Sequence, residues 1–274
     1  MSNIIALKDL SLEEVKIYNS LNENQLKRIY EPKLGLFIAE SPKVIVRALD
    51  AGYEPVSALV EDSLLEGEIK EVLPRLNDIP VYVSTQDILS EITGFRLTRG
   101  ALCAMRRKEL VSPEELLKGA RRIVVLEDVE NPTNVGAIFR SAAALNIDGV
   151  ILTSGSSDPL YRRAIRVSMG TVFQVPWTFI GDEWYEDGIN ILHGLGFRSA
   201  AMALVNTSVG IDDKTLGSEE RLAIIMGTEG EGLRQKTIES SDYVVKIPMS
   251  HGVDSLNVAA ASAVTFWELA AKKL

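Results

Sequence analysis

The sequence predicts an α/β protein of two domains, on three observations. Apolar runs of strand length alternate with segments of helical period along most of the chain. A charged linker at 111–120 separates a first domain, residues 1–110, from a second, residues 121–274. In the second domain the alternation of strand and helix is typical of a mostly parallel sheet. We therefore expect a smaller α/β domain followed by a larger one with a mostly parallel sheet.

In the first domain, short apolar runs indicate strands, and apolar residues at a period near 3.6 indicate helices. The predicted strands are 36–39, 56–60, 81–83 and 101–105. The predicted helical segments are 12–30, 42–51, 66–73 and 85–92. A further short helix is predicted to begin at Pro113, inside the linker.

The second domain gives stronger patterns of the same two kinds. Its predicted strands are 123–126, 149–152, 198–204, 222–226 and 243–247. Its predicted helices are 134–145, 159–167, 183–195, 232–239 and 255–272. Internal repeats and low-complexity segments are not evident.

The charge of the chain argues mildly against nucleic acid as a partner. The net charge is −9 and the pI about 5.0, whereas phosphate binding needs Lys and Arg. Net charge is a global quantity, however, and a binding face is local. Eight basic residues face three acidic ones between Arg96 and Arg122, and a second cluster is Arg162, Arg163 and Arg166. An RNA partner therefore remains open, although most of these charges are expected to be solvated surface.

Composition also bears on the compartment. Cys103 is the single cysteine, which rules out an intrachain disulfide and fits a reducing environment. The N-terminal residues lack a basic region followed by a long apolar one, so no signal peptide is expected. The longest apolar stretch, 258–267, is interrupted by Ser262 and Thr265, so we expect no membrane span. These features predict a cytoplasmic protein.

The first segment with chemical potential is 131–145, at a predicted strand-to-helix transition. Pro132 fixes its own φ and biases Asn131 toward extended backbone. Asn134 is a candidate N-cap, because its side-chain oxygen can accept an orphan backbone N–H. Arg140 lies on a helical face with Ala137 and Ala144. The segment is equally compatible with a helix cap followed by a surface arginine.

The second segment, 222–233, is an apolar strand that runs into Gly227, Gly230 and Gly232. Glycine lets the backbone approach a ligand closely and adopt positive φ. The spacing is Gly-x-x-Gly-x-Gly, which differs from the dinucleotide-binding pattern. Glu229 and Glu231 argue against a phosphate cradle and favour a neutral or positive ligand. A tight turn without a ligand is the alternative.

The third segment, 247–263, leaves a strand at Pro248 and enters an alanine-rich helix near Ser255, a candidate N-cap. The small residues that follow allow close helix packing. His251 and His193 are the two histidines, and neither has a second His or Cys at ligand spacing. We therefore expect no metal site.

Together, these segments resemble the SpoU (TrmH) branch of the SPOUT RNA methyltransferases. The run Asn131-Pro-Thr-Asn-Val-Gly-Ala-Ile-Phe-Arg140 is similar to its first motif, and Met226-Gly-Thr-Glu-Gly-Glu-Gly-Leu233 to its second. The third is matched by Ile247-Pro-Met249 and Ser255-Leu-Asn-Val258. The N-terminal half is similar to the ribosomal-protein-like substrate-binding domain often fused to this branch, although Ser41 stands where that family commonly has Gly.

The resemblance implies a deep trefoil knot in the C-terminal domain, a homodimer with its sites near the interface, and S-adenosylmethionine as methyl donor. It implies 2′-O-methylation of a ribose in structured RNA, with 23S ribosomal RNA favoured over transfer RNA. The implied catalytic residues are Asn134, Arg140, Glu229, Ser255 and Asn257. The implied cofactor-binding residues are Gly227, Gly230, Ile247, Met249 and Leu256.

Arg140 is the residue that the family is supposed to use for activation. A guanidinium is a poor base because its pKa exceeds about 12. We therefore interpret Arg140 as a phosphate anchor and a stabiliser of the developing alkoxide. Glu229 is interpreted as orienting Arg140 or Asn134 and as a late proton acceptor.

Two other classes of protein remain as alternatives. A nucleotide-dependent oxidoreductase is disfavoured by the missing dinucleotide fingerprint. A non-catalytic RNA-binding protein that kept the fold is disfavoured because all of the motif residues are present.

Overall fold

The computed structural model describes residues 3–7, 13–18, 35–76, 78–93 and 100–271 of the 274-residue chain. Within these residues the strands are β1 (Asn3–Ala6), β2 (Leu36–Glu40), β3 (Pro55–Glu61), β4 (Pro80–Ser84), β5 (Ala101–Arg106), β6 (Arg122–Leu126), β7 (Gly149–Thr153), β8 (Trp177–Ile180), β9 (Arg198–Met202), β10 (Val209–Gly210), β11 (Leu222–Met226) and β12 (Tyr243–Lys246). The α-helices of the same residues are α1 (Pro42–Asp50), α2 (Gln86–Thr93), α3 (Pro113–Leu116), α4 (Pro132–Ala144), α5 (Arg162–Ser168), α6 (Glu183–Gly194), α7 (Lys214–Ser218), α8 (Gln235–Ser240) and α9 (Val258–Leu269).

The described chain divides into two compact units, each an α/β structure as predicted. The first unit spans residues 1–109 and 160–174, and the second spans 110–159 and 175–274. The segment 160–174 contains α5, which the sequence analysis places inside the second domain. In the structure it packs on β2, where Arg162 Nε lies 3.3 Å from Glu40 Oε2.

The first unit is built on a mixed sheet. Its described strands have the order β1-β4-β3-β5-β2, with β1, β4 and β3 parallel and β5 antiparallel to both neighbours. The predicted segment 66–73 forms 3-10 turns at Glu68–Glu71 and Leu73–Leu76 instead of one helix. Of the predicted helix 12–30, Glu13–Tyr18 form a 3-10 helix, and the prediction for 19–30 lies outside the described residues.

The second unit contains a sheet of seven described strands, all parallel, in the order β10-β12-β9-β11-β6-β7-β8. Its central strands are buried on both faces, as in β6 and β11, whose residues are all buried. Continuous apolar strands of this kind suit a parallel sheet that helices cover on both sides. The prediction of a mostly parallel sheet is therefore confirmed.

The topology sets the functional edge of this sheet. Strands β6 and β11 are direct neighbours, with Leu126 opposite Met226, although about a hundred residues of chain separate them. Because all seven strands are parallel, the loops after them emerge at one carboxyl-terminal edge, where open α/β sheets bind ligands. Helix α9 packs against α4. The trefoil knot stays a prediction.

Within the described residues, no helix is both long and apolar enough to cross a bilayer.

Candidate functional site

A cavity of about 640 Å³ lies in the second unit, beyond the carboxyl ends of the neighbouring strands β12, β9 and β11. Its walls include residues 226–233 at and beyond the end of β11, much of the stretch 245–258 at and beyond the end of β12, and residues 202–205 at and beyond the end of β9. This volume is within the range of about 300–1,000 Å³ that is usual for small-molecule sites. The second and third sequence motifs therefore face each other across one cavity.

Eight of the ten predicted site residues line this cavity. These are Gly227, Glu229, Gly230, Ile247, Met249, Ser255, Leu256 and Asn257. Asn134 joins them through a hydrogen bond to Asn257 at its rim. Arg140 does not line the cavity. The structure thus brings nine of the ten residues together, and their individual roles stay predictions.

The glycine loop, residues 227–233, owes its path to its glycines. A Cβ at Gly227 would lie 2.3 Å from the carbonyl carbon of Gly232, so the loop crosses itself where no side chain fits. Gly232 N donates to Thr228 O at 3.2 Å and closes this crossing. Gly230 and Gly232 have φ of +90° and +71°, which disfavour other residues. The spacing of the three glycines is therefore dictated by the shape of the loop.

Asn257 links the three motifs. Its Oδ1 accepts from Ala259 N at 2.9 Å and from Ala260 N at 3.3 Å, which caps α9. Its Nδ2 donates to Asn134 Oδ1 at 3.2 Å and to the carboxylate of Glu229. A single amide therefore starts the last helix and also binds one residue from each of the other two motifs.

The predicted cap of α4 is wrong by three residues. The N-cap is Asn131, whose Oδ1 accepts from Thr133 N at 2.9 Å, and Pro132 occupies the first helical position. Asn134 therefore lies inside the first turn, where it is buried. Because the backbone there is capped by Asn131, the amide of Asn134 is available for Asn257.

The predicted cap of α9 is wrong by two residues. Asn257 caps this helix, and Ser255 instead donates from its hydroxyl to Asp254 Oδ1 at 3.4 Å. An asparagine caps as well as a serine does, and here only the later residue is followed by helical backbone. Ser255 is exposed and lines the cavity.

Arg140 is exposed on α4, and among the described residues its side chain makes no hydrogen bond or ion pair. It follows Asn134 by six positions, which is roughly 9 Å along the helix axis and about 120° around it. The two side chains therefore leave the helix on different faces. The guanidinium is free to bind a group that approaches from solvent.

Carboxylates outnumber cations around the cavity. Glu229, Glu231 and Asp254 line it, and Lys246 is the one basic lining residue in the described chain. Apolar side chains such as Met202 supply much of the remaining wall. This charge balance suits a neutral or positive ligand, as the sequence indicates, and the apolar wall suits a ligand with an apolar body.

The stretch 247–257, called the open stretch below, is exposed along most of its length. It follows β12, which is anchored at its start by Asp242. Burial raises the pKa of this carboxyl, but hydrogen bonds from Ser199 N, His193, Ser199 Oγ and Arg198 outweigh burial and hold the pKa at about 2. The Asp242 oxygens lie 2.6 Å from Arg198 Nη1 and 2.7 Å from His193 Nε2. The base of the open stretch is thus anchored, while its residues 250–257 are exposed.

Sequence reasoning missed a second group of polar residues behind the cavity. Glu127 and Asp128 follow β6 directly and bind Arg234, the residue after the glycine loop. Their signal in the sequence was two consecutive acids between an apolar strand and Asn131. No group of three or more His, Cys, Asp or Glu placed to hold a metal ion occurs among the described residues.

Comparison with known proteins agrees with this geometry. A model of the SpoU rRNA Methylase family matches residues 121–267. An uncharacterised tRNA/rRNA methyltransferase of Mycobacterium bovis is 40% identical over 234 residues, covering 85% of this chain and 80% of that protein. The 23S rRNA (guanosine(2553)-2′-O)-methyltransferase of Bacillus subtilis is 27% identical, covering 86% and 89%.

Solved structures share the fold at lower identity. The AdoMet-bound rRNA methyltransferase of Sinorhizobium meliloti superposes with a TM-score of 0.81 at 22% identity, covering 97% of each chain. The SpoU methyltransferase AviRb of Streptomyces viridochromogenes, in complex with AdoMet, superposes at 0.79 with 19% identity, covering 96% of this chain and 99% of that one.

Proposed function

Since the chain belongs to the SpoU rRNA methylase family, we propose that it methylates the 2′-oxygen of a ribose in structured RNA, with S-adenosylmethionine as the donor. The favoured substrate is 23S ribosomal RNA, because the Bacillus subtilis relative acts there and aligns over most of this chain. Such a substrate also puts the proposed reaction in the cytoplasm. The observation that carries the proposal is that the glycine loop and the open stretch face one cavity whose rim binds Asn134.

The residues around the cavity fit the donor. S-adenosylmethionine supplies a methyl group bound to a positively charged sulfonium. Met202 and Leu256 offer apolar surface to a nucleoside, and the glycine loop offers backbone groups that no side chain covers. Glu229, Glu231 and Asp254 offset positive charge. Gly227, Gly230, Ile247 and Met249 would hold the donor, as the resemblance implies.

Asn134, Glu229, Ser255 and Asn257 would position the ribose hydroxyl. Asn257 donates hydrogen bonds to the Glu229 carboxylate and the Asn134 amide oxygen, so the three groups are already next to one another in the absence of RNA. As the new oxygen–carbon bond forms and the sulfur–carbon bond breaks, the hydroxyl proton leaves late. Glu229 is the candidate acceptor, because one of its oxygens is not used by Asn257. Alignment of this kind supplies up to about 7–11 kcal/mol in favourable reactions.

Arg140 is proposed to anchor an RNA phosphate. It is exposed and its planar fork binds phosphate through two parallel hydrogen bonds. Arg140→Lys keeps the charge and loses the fork, so we expect KM for RNA to rise by about tenfold. Donor affinity, measured by calorimetry, should not change. A KM for RNA equal to that of the wild-type chain would contradict the two-bond argument.

We also propose that a second copy of the chain covers α9. The helix exposes Val264 and Trp267, with 42% and 56% of each residue accessible, on an element otherwise packed against α4. Leu256, at the cavity, is 42% exposed as well, so an interface there would lie near the site. Sedimentation should give a dimer, and Trp267→Arg should give a monomer. A wild-type monomer at micromolar concentration would contradict the proposal.

The deciding experiment is methyl transfer. The full chain is incubated with S-adenosylmethionine labelled in its methyl group and with ribosomal or transfer RNA from cells that lack this gene. We expect label in 23S RNA, at one nucleotide whose 3′ phosphodiester bond then resists alkaline cleavage. Label confined to transfer RNA would contradict the proposal of 23S ribosomal RNA and make transfer RNA the substrate. RNA binding with no transfer would identify a non-catalytic binding protein.

A further inference from the structure

We propose that Glu127 and Asp128 are positioning residues that hold the glycine loop in the shape that binds the methyl donor, an inference that rests on the function proposed above. Neither residue lines the cavity, and neither is among the residues implied by the family motifs. Both act through the residues at the two ends of the loop.

Glu127 closes the loop at its base. Its backbone N donates to Met226 O at 2.9 Å, directly before the loop, and its Oε1 accepts from Arg234 N at 2.8 Å, directly after it. Its Oε2 accepts from Trp184 Nε1 at 2.7 Å and Thr237 Oγ1 at 2.6 Å. Glu127 is only 1% exposed, so water cannot replace a lost donor. One buried residue therefore sets the separation of both ends of the loop.

Asp128 holds the side chain of Arg234. Its Oδ2 accepts from Arg234 Nε at 3.2 Å and Nη2 at 3.1 Å, and its Oδ1 accepts from Tyr185 Oη at 2.5 Å and Thr153 Oγ1 at 3.0 Å. The guanidinium also stacks on the Tyr185 ring, 3.8 Å from its centroid. Asp128 has a φ of +55°, unusual for a residue with a side chain. The hydrogen bonds of its side chain over-determine this conformation.

The two acids also tie the loop to the first motif. They lie three and four residues before Asn131, which caps α4 and so sets the position of Asn134. Glu229, in the loop, and Asn134, on α4, must both reach Asn257. A loop released from Glu127 and Asp128 would no longer be held in place relative to α4. The affinity for the donor should then fall more than the turnover rate of the bound donor.

The test compares Asp128→Asn and Arg234→Gln with a matched control, Asp148→Asn. Asp148 Oδ2 accepts from Arg121 N and Arg122 N, both at 2.8 Å, at the opposite end of the same strand β6. Removing the charge-assisted bonds of Asp128 should raise the donor KM by about tenfold and change kcat by less than about threefold. The double variant should be no worse than the more affected single variant, because each single variant already removes the Asp128–Arg234 ion pair.

Hydrogen exchange tests the positioning role independently of the proposed methyl transfer. In the full chain without ligand, amides at 227–233 should exchange about tenfold faster in Asp128→Asn than in wild type. The exchange rates of the same amides in Asp148→Asn should equal those of wild type. Equal donor KM for Asp128→Asn and Asp148→Asn, or unaltered exchange in the loop, would overturn the positioning role. A wild-type chain that binds no S-adenosylmethionine would overturn the proposed function, and the exchange result alone would then decide whether the acids hold the loop.

Discussion

The two walls of the cavity are held in different ways. The glycine loop is bonded at both ends to Glu127, and the residue after it is gripped by Asp128. The open stretch is anchored before its start, at Asp242, and at its last residue, Asn257, and it is exposed between. Segments with few buried contacts open at low free-energy cost. The glycine loop is exposed at 229–232 as well, but its anchors, Met226 and Arg234, are only eight positions apart. We therefore treat this wall as a fixed template and expect the open stretch to close over a ligand.

The largest effect should come from breaking the fixed wall. Gly227→Ala places a Cβ 2.3 Å from the backbone of Gly232, so the loop must move. We expect donor binding and transfer to fall by about a hundredfold or more, because the neighbouring atoms are backbone and cannot rotate away. Gly194→Ala is the control, since no atom lies within 4 Å of its Cβ. Calorimetry with S-adenosylmethionine measures the difference, and normal binding by Gly227→Ala would contradict the template interpretation.

The next effect concerns the point where the open stretch meets the other motifs. Asn257→Ser keeps a capping side chain and removes the amide that binds Asn134 and Glu229. We expect kcat to fall about tenfold to a hundredfold with less than about 0.5 kcal/mol lost in stability. Asn257→Ala should lose the same activity and about 1 kcal/mol of stability as well. Equal activity of Asn257→Ser and wild type would show that Asn257 acts only as a helix cap.

A smaller effect should appear on adding the donor. S-adenosylmethionine at saturation should slow hydrogen exchange in residues 249–257 by about tenfold and in the glycine loop by less, because the loop is already held. Exchange measured by mass spectrometry on the full chain tests this. Stronger protection of the loop than of the open stretch would reverse the assignment of the two walls.

The smallest effect concerns the anchor of the open stretch. The folded pKa of Asp242 is depressed to about 2, so its contribution to stability is present above its unfolded pKa of 3.8 and disappears as the pH falls through 2. Asp242→Asn should cost roughly 1–2 kcal/mol at pH 7. The difference from wild type should shrink between pH 4 and pH 2 in urea titrations. A constant difference over that range would assign the loss to packing.

Much of the second unit could be predicted from the sequence, because its strands are buried on both faces and read as continuous apolar runs. The strand predicted at 222–226 coincides with β11, for example. Strand β10, Val209–Gly210, is too short to carry such a pattern. The segment around α5 could not be assigned to the correct unit from the sequence. The apolar face of an amphipathic helix indicates that the helix packs on a core, but it does not indicate which sheet it packs on.

The candidate site, like the fold, has features that the sequence predicts and features that it does not. The glycine spacing and the order of the motifs predict which residues meet, but the caps depend on details that two nearby candidates share, as with Asn131 and Asn134. The basic cluster between Arg96 and Arg122 also lies only partly on the surface. Arg122 is buried, and its guanidinium donates to the carbonyls of Glu219, Glu220 and Leu269. A charge count cannot distinguish such an arginine from one that faces solvent.

The membership of 160–174 in the first unit has a consequence for synthesis of the chain. The ribosome must make β6, α4 and β7 before it delivers the helix that packs on β2. By then five of the seven described strands of the parallel sheet are still unmade, and β6 must wait for β11, its neighbour from much later in the chain. Domains that emerge in sequence ordinarily fold in that order. Here the order of translation and the order of assembly are interleaved, and a nascent chain arrested before Leu160 carries two incomplete cores.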